Sequence, residues 1–256
     1  MRLFSGVGVA LVTIFDPDGQ VDPEATARHA ADLVSRGMKS VLVNGSTGEA
    51  GTLTDDERIE LLKAVRAAIP AGLPVLAGTG GASAEVAVGL TRAAVDAGAD
   101  VMLAFPPPGY SGAAELHSFH EAVAEAAAGK PVLAYHVPWV SSPGVPVEEL
   151  PSLPIAGIKD SSGSADRLLD ELAHYAGSVY VGSSALLSLA GPMGGAGAIL
   201  ALANIEPERC VLAFDGDGAA QRALAEAHLA VRAGGPARLK QLLADRSDYP
   251  ATSRLS

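Results

Sequence analysis

The stretch Leu153-Pro154-Ile155-Ala156-Gly157-Ile158-Lys159-Asp160-Ser161-Ser162-Gly163 places a lysine at the end of an apolar run and follows it at once with turn residues. A short run of small and branched residues reads as a strand buried on both faces. The chain has five lysines, and Lys39, Lys63, Lys130 and Lys240 sit in polar or helix-end contexts where a solvated ammonium costs nothing. Lys159 stands apart. At the end of a buried strand it loses hydration and its charged form is disfavoured, which leaves a neutral amine available as a nucleophile. The chemistry that uses such an amine is Schiff-base formation with a carbonyl substrate. The alternative is a lysine that pairs with Asp160 or extends its ammonium past the strand end.

Outward from this stretch the chain repeats one unit: a helical segment ending at Gly, a short apolar strand, and a turn rich in Gly, Ser and Pro. Strands are expected over 7–13, 40–43, 74–77, 100–104, 131–135, 155–158, 178–181 and 196–200. Between them apolar residues recur at helical spacing, as in Ala27, Ala30, Ala31 and Val34, then Ile59, Leu62, Val65 and Ala68, then Val86, Leu90 and Ala94. Thr54-Asp55-Asp56-Glu57 has the form of a capping box, and Ser83 is placed to cap the following helix. Strands alternating with helices in this way predict a (β/α)8 TIM barrel of the α/β class. The competing arrangement is an open doubly wound sheet, but neither G-x-G-x-x-G nor G-x-x-x-x-G-K-[ST] occurs. Residues 1–218 are assigned to the barrel. Residues 219–256 form a short C-terminal helical extension packed on it in the same domain, with helices over 219–233 and 236–244 separated by Gly234-Gly235. Residues 247–256 are polar and aperiodic, and are expected to be frayed or draped on the surface.

Hydrophobic residues make up 48% of the 256 and aromatics only 4%, so the core must be filled by Ala, Val and Leu. The single cysteine, Cys210, excludes an intramolecular disulfide, fits a reducing cytosol, and reads as a small buried residue. The apolar run 6–15 lacks a signal-peptide cleavage site and closes in Asp16-Pro17-Asp18-Gly19, so it is read as the first strand. No apolar run has the length of a membrane span. A net charge of −11 without basic clusters argues against nucleic acid or anionic membranes as partners. An anionic small substrate stays compatible, because local donors act at short range.

In a barrel, site residues come from the C-terminal ends of strands and the loops after them. After the second strand, Asn44-Gly45-Ser46-Thr47-Gly48-Glu49 offers hydroxyls and backbone N–H groups suited to a carboxylate, or is an ordinary turn. After the fifth, Tyr135-His136-Val137-Pro138 offers a phenol that relays a proton, or a packed ring that closes the barrel. Gly194-Gly195-Ala196-Gly197 at the eighth strand lets substrate lie against backbone, or closes a crowded barrel. Strand alternation turns His136 away from the interior toward a structural role. His117 and His120, with Glu121, hint at a metal pair but lack a third ligand and are read as a solvated helix face. His29, His174 and His228 are read as helix-surface residues.

Taken together with Lys159, the motifs Gly45-Ser46-Thr47-Gly48-Glu49, Tyr135-His136-Val137-Pro138, Gly157-Ile158-Lys159-Asp160 and Gly194-Gly195-Ala196-Gly197-Ala198-Ile199 resemble the dihydrodipicolinate synthase / N-acetylneuraminate lyase family of pyruvate-handling class I aldolases. The resemblance implies that Lys159 forms an imine with the ketone of pyruvate or another 2-oxo acid. It implies that Ser46, Thr47 and Gly48 hold the carboxylate, that Ser46 links Tyr135 into a proton relay, and that Tyr135 is the general acid/base. Ile199, through its carbonyl, and Gly182 would line the pyruvate pocket. No metal or organic cofactor is then required. The implied protein is a cytoplasmic homodimer or homotetramer whose small-molecule partners are pyruvate and an aldehyde.

Three departures bear on the substrate. Val140 stands where the dihydrodipicolinate-forming members place an arginine that grips a carboxylate. Tyr110, in Phe105-Pro106-Pro107-Pro108-Gly109-Tyr110, is out of register with the tyrosine those members give to a neighbouring subunit. Ser161 resembles the hydroxyl that sugar-acid and hydroxy-oxo-acid aldolases carry two residues after the lysine, and Ser183, Ser184 and Trp139 would complete such a pocket. The region after Ala219 is reduced relative to typical members. The function expected first is therefore a lyase joining or separating pyruvate and an aldehyde within a 2-oxo-3-deoxy sugar acid or hydroxy-oxo acid. The alternatives are a 4-hydroxy-tetrahydrodipicolinate synthase and a non-catalytic relative that binds a 2-oxo acid.

Overall fold

Eight short parallel strands pair in chain order and close into a barrel, in a computed structural model that describes residues 2–255. The strands are β1 (Gly6–Ala10), β2 (Val41–Val43), β3 (Val75–Gly78), β4 (Val101–Ala104), β5 (Val132–His136), β6 (Gly157–Asp160), β7 (Ser178–Val181) and β8 (Gly197–Leu200). Around them run α1 (Pro23–Ser35), α2 (Asp55–Ala68), α3 (Ala84–Asp96), α4 (Gly112–Ala126), α5 (Ala165–His174), α6 (Leu187–Ala190), α7 (Pro207–Phe214), α8 (Gly218–Ala223) and α9 (Ala225–Ala244). The TIM barrel expected from the alternating apolar runs is the fold the chain adopts. No helix among the described residues is long and apolar enough to cross a membrane.

Strand alternation divides the core in two. Ala10, Leu42, Leu76, Leu103, Leu133, Tyr135, Tyr180 and Ile199 fill the barrel interior, while Val41, Val75, Met102, Ala134, Ile158, Val181 and Ala198 pack outward against the helices. Phe4 stacks on Tyr180 with ring centroids 4.5 Å apart, and the Tyr180 hydroxyl donates to the Phe4 carbonyl at 3.0 Å. Caps set the helix starts: Thr54 and Glu57 form the reciprocal capping box of α2, and Ser83 accepts from the Val86 amide at the head of α3. In α3 the buried stripe is Ala87, Thr91 and Ala94, and Val86 turns out to solvent.

Two of the expected strand boundaries move. β1 stops at Ala10 and not at 13, because the Val12 amide donates to Asn204 Oδ1 and the Ile14 amide to the Thr26 hydroxyl. β6 extends through Lys159, which pairs in register with Tyr135 on β5 and Tyr180 on β7.

The C-terminal region departs most from expectation. The break expected at Gly234-Gly235 is present, Gly235 being non-helical with φ of 59° ahead of Pro236, but the first of the two expected helices is itself divided at Leu224, α8 ending at Ala223 and α9 beginning at Ala225. Residues 247–255 are anchored, not frayed: Arg254 donates to both Glu57 oxygens and to the Gly19 and Thr52 carbonyls. Lys240 is buried against Glu49 at 2.5 Å, so its place in a polar stretch gave the wrong environment. Two histidines read as solvated are buried as well. His29 bonds Asn204 at 3.2 Å and meets the Tyr249 ring edge-on; His120 bonds the Leu116 carbonyl at 2.8 Å and packs edge-on against Phe119. Both lie on the sides of helices that face a neighbouring element, which a heptad-length pattern of mostly small residues does not reveal.

Candidate active site

Lys159 is 4% exposed, and alternation from the outward Ile158 turns it into the barrel. Its Nζ stands 4.5 Å from the centroid of the Tyr135 ring. Asp160, next in the strand, faces the opposite way. Its carboxylate accepts the amide and hydroxyl of Ser162, both at 2.8 Å, and lies 3.8 Å from Arg167 Nε, so it is not the partner of Lys159. Arg167 also sits 2.9 Å from Glu171, giving two buried carboxylates around one guanidinium. Burial, with the Asp160 charge adding to it, pushes Glu171 up to about 8. Asp160 is raised by the same burial, against its Ser162 bonds and Arg167.

The Tyr135 hydroxyl accepts from Ser161 Oγ at 3.3 Å. Ser161 is held there from two sides. Its amide donates to the His136 carbonyl at 2.9 Å, and Gly182 leaves room for the hydroxyl, since a Cβ at that position would stand 2.0 Å from Oγ. The side chain hydrogen-bonded to the Tyr135 hydroxyl is Ser161, whereas the resemblance implied a link from Ser46. His136 is neutral and structural: burial, helped by the Arg167 charge, pushes it down to about 4, and its Nδ1 accepts the Val145 amide at 2.9 Å.

Ser46 and Thr47 lie in a 3-10 turn, Ser46–Gly48, between two left-handed residues, Asn44 and Glu49, each with φ of 57°. Gly48 is required by close approach to the segment after β1: a Cβ would stand 2.9 Å from the Leu11 carbonyl, and the Thr13 hydroxyl donates to the Gly48 carbonyl at 2.7 Å. A cavity of about 490 Å³ is walled by Asn44, Gly45, Ser46 and Glu49 of this loop together with Tyr135, Phe105, Val140, Arg58 and Leu255. Arg58 is the one cationic side chain in that wall. It donates to the Ala50 carbonyl, and burial lowers its pKa. Ile199 is buried in the barrel interior, one strand over from Gly8. Tyr110 is turned into its own chain, where its hydroxyl donates to the Gly144 carbonyl at 2.6 Å. Trp139 and Val140 are exposed beside the cavity. Ser184 bonds His228 Nδ1 at 2.8 Å, so His228 is engaged with the loop after β7 and not free on a surface.

A larger cavity, about 760 Å³, lies between α1 and residues 243–250 and contains none of the residues above. Among the described residues no three His, Cys, Asp or Glu side chains gather as a metal site, and His117 instead bonds Glu149 and Ser152. Sequence reasoning missed Glu49, Lys240, Arg254 and Leu255. The first lay in a recognised motif without a partner, and the others lie about 190 to 210 residues away from it.

A closed barrel with a buried lysine and a tyrosine paired at the ends of adjacent strands holds the groups that a lyase of the Schiff-base aldolase class uses. The chain belongs to the dihydrodipicolinate synthetase family, whose model matches residues 3–232. The 4-hydroxy-tetrahydrodipicolinate synthase of Thioalkalivibrio sulfidiphilus is 34% identical over 236 residues, covering 87% of this chain and 79% of that protein. The synthase of the same name from Salinibacter ruber is 35% identical over 218 residues, covering 80% and 70%. Among solved structures, YagE, a prophage protein of the dihydrodipicolinic acid synthase family from E. coli K12 in complex with pyruvate, superposes with a TM-score of 0.89 at 27% identity, covering 98% of this chain and 91% of that one. The chloride-inhibited dihydrodipicolinate synthase from Acinetobacter baumannii complexed with pyruvate gives 0.87 at 27% identity, covering 95% and 88%.

Proposed function

We propose that this lyase forms an imine between Lys159 and the ketone carbon of pyruvate, and that the derived enamine adds to aspartate semialdehyde, as in a 4-hydroxy-tetrahydrodipicolinate synthase. The observation that carries the imine is the Tyr135–Lys159 pair: a buried amine against a phenol whose hydroxyl already takes a hydrogen bond from Ser161. The amine adds to the ketone and water leaves. The iminium then draws electrons from C3, the C3 proton passes to Tyr135, the enamine attacks the aldehyde carbon, and the semialdehyde's own amine displaces Lys159 from the resulting iminium. Tyr135 delivers the proton that the aldehyde oxygen acquires. Ser46, Thr47 and Gly48 hold the pyruvate carboxylate, and Ile199 and Gly182 line its pocket. The likeness to two 4-hydroxy-tetrahydrodipicolinate synthases supports this reading over the sugar-acid type expected first.

One observation favours the sugar-acid or hydroxy-oxo-acid reading. Val140 puts an apolar side chain in the cavity wall where a carboxylate-bearing aldehyde needs a cation, and Ser161 adds a hydroxyl beside Tyr135. Assembly as a homodimer or homotetramer and a cytoplasmic location belong to the same proposal. Tyr110 does not support sharing of a tyrosine between subunits, because its hydroxyl is engaged within the chain.

Borohydride reduction in the presence of pyruvate, followed by peptide mapping, tests the imine. An adduct at Lys159 that is absent from Lys159→Arg is expected, and labelling elsewhere or nowhere refutes it. Comparing turnover of aspartate semialdehyde with that of hydroxylated aldehydes then decides the partner.

A further inference from the structure

The loop that carries Ser46 and Thr47 ends at Glu49, whose side chain is wholly buried. Its carboxylate receives donors from far along the chain: Lys240 Nζ at 2.5 Å, the Ser253 hydroxyl at 2.9 Å, and the amides of Arg254 and Leu255 at 2.7 and 3.1 Å. Arg254 is itself locked. Its guanidinium lies 4.6 Å from the Phe15 ring centroid and reaches the two Glu57 oxygens at 3.0 and 2.7 Å. Leu255 then joins Ser46 and Tyr135 in the cavity wall. A left-handed residue other than glycine persists only where its surroundings over-determine it. At Glu49 the side chain's hydrogen-bond partners come from Ser253–Leu255 and Lys240.

We propose that Ser253–Leu255 is a positioning element of the site: by clamping Glu49 it fixes the loop at the geometry in which Ser46 and Thr47 hold the carboxylate of the 2-oxo acid, and Arg254 is the residue that locks it in place. The inference rests on the reading of that loop and of Lys159 given above. A small displacement of a binding loop is enough to weaken it severely, since misplacement by about 1 Å costs up to roughly 10²-fold in favourable cases.

The test is borohydride trapping at Lys159 in the full chain as a function of pyruvate concentration, alongside KM and kcat for pyruvate. Arg254→Ala should reach the wild-type extent of trapping but need about tenfold more pyruvate, with KM rising in parallel and kcat changing far less. Acetone, which has no carboxylate, should trap alike in both proteins. Arg254→Lys keeps the charge over Phe15 but cannot bridge Glu57 with two hydrogen bonds, so it should fall between the two and serves if the alanine variant does not fold. A wild-type pyruvate dependence in these variants, whatever their melting temperatures, overturns the inference while leaving the Lys159 reading intact. An equal loss with acetone and pyruvate also overturns it, since the defect is then not in carboxylate binding. Failure of the wild type to trap pyruvate at Lys159 overturns both.

Discussion

Tyr135 and Lys159 are register partners on neighbouring parallel strands, and the lysine nitrogen stands 4.5 Å from the centre of the tyrosine ring. In-register residues of adjacent strands lie on the same face of a sheet, so the barrel turns both side chains inward at one level. The phenol is then held from the β6 side by Ser161 and the amine is shielded by the ring.

Tyr135→Phe keeps the ring that packs on Lys159 and removes the hydroxyl that accepts from Ser161. The pyruvate imine should still be trapped by borohydride, while kcat for the condensation falls by roughly 10²–10⁴-fold. Steady-state kinetics and trapping on the same preparation check the split.

Gly182→Ala inserts a methyl 2.0 Å from Ser161 Oγ and 3.1 Å from its Cα, so Ser161 must move off the Tyr135 hydroxyl. Loss of one neutral hydrogen bond predicts a fall in kcat of up to about tenfold. Ser161→Ala should reproduce most of it, and an unchanged kcat in Ser161→Ala would remove Ser161 from the relay.

Val140→Arg adds a cation to the cavity wall shared with Tyr135. kcat/KM for aspartate semialdehyde should rise, on the order of tenfold, relative to a neutral hydroxylated aldehyde. Competition between the two aldehydes measures the ratio directly.

Burial pushes His29, His120 and His136 each down to about 4. The unfolded chain, with ordinary histidines near 6.5, therefore binds more protons than the folded one between these values. The stability they protect is complete above about 6.5 and is lost as pH falls toward about 4, at most about 2 kcal/mol per histidine by pH 5. Urea midpoints at pH 7 and 5 should fall accordingly. His136→Asn, which keeps an acceptor for the Val145 amide, should fall less.

Glu171 carries the opposite sign. Its folded value, raised to about 8 by burial and the Asp160 charge, exceeds the unfolded one, so stability present below about 4.5 is lost as pH rises toward about 8. Glu171→Gln leaves Arg167 facing Asp160 alone and should melt higher than wild type at pH 8, about 2–4 °C for each kcal/mol gained, and nearly equal to it at pH 4.5.

The order of elements, the barrel and a lysine at the end of a buried strand were legible in the chain itself, whereas the contact of Lys159 with Tyr135 came from the structure. Short apolar runs punctuated by Gly and capped helices encode strand–helix alternation locally, and a charged residue inside such a run is conspicuous without any neighbour. The capping box at Thr54 and the cap at Ser83 followed for the same reason, since a cap and its amides lie within one turn. What the sequence could not disclose are the partners brought together by closure of the barrel. Ser161 reaches Tyr135 only because β5, β6 and Gly182 of the next unit converge there. Lys240 with Ser253–Leu255 on Glu49 joins residues whose separation in the chain carries no periodicity, and the Arg167–Glu171 pair, four apart on α5, meets Asp160 only through the packing of α5 on β6. Local pattern determined which residues form the elements and which strand end bears the buried lysine. Packing in three dimensions decided which polar groups satisfy one another, because burial forces each to find a partner wherever the fold brings one near.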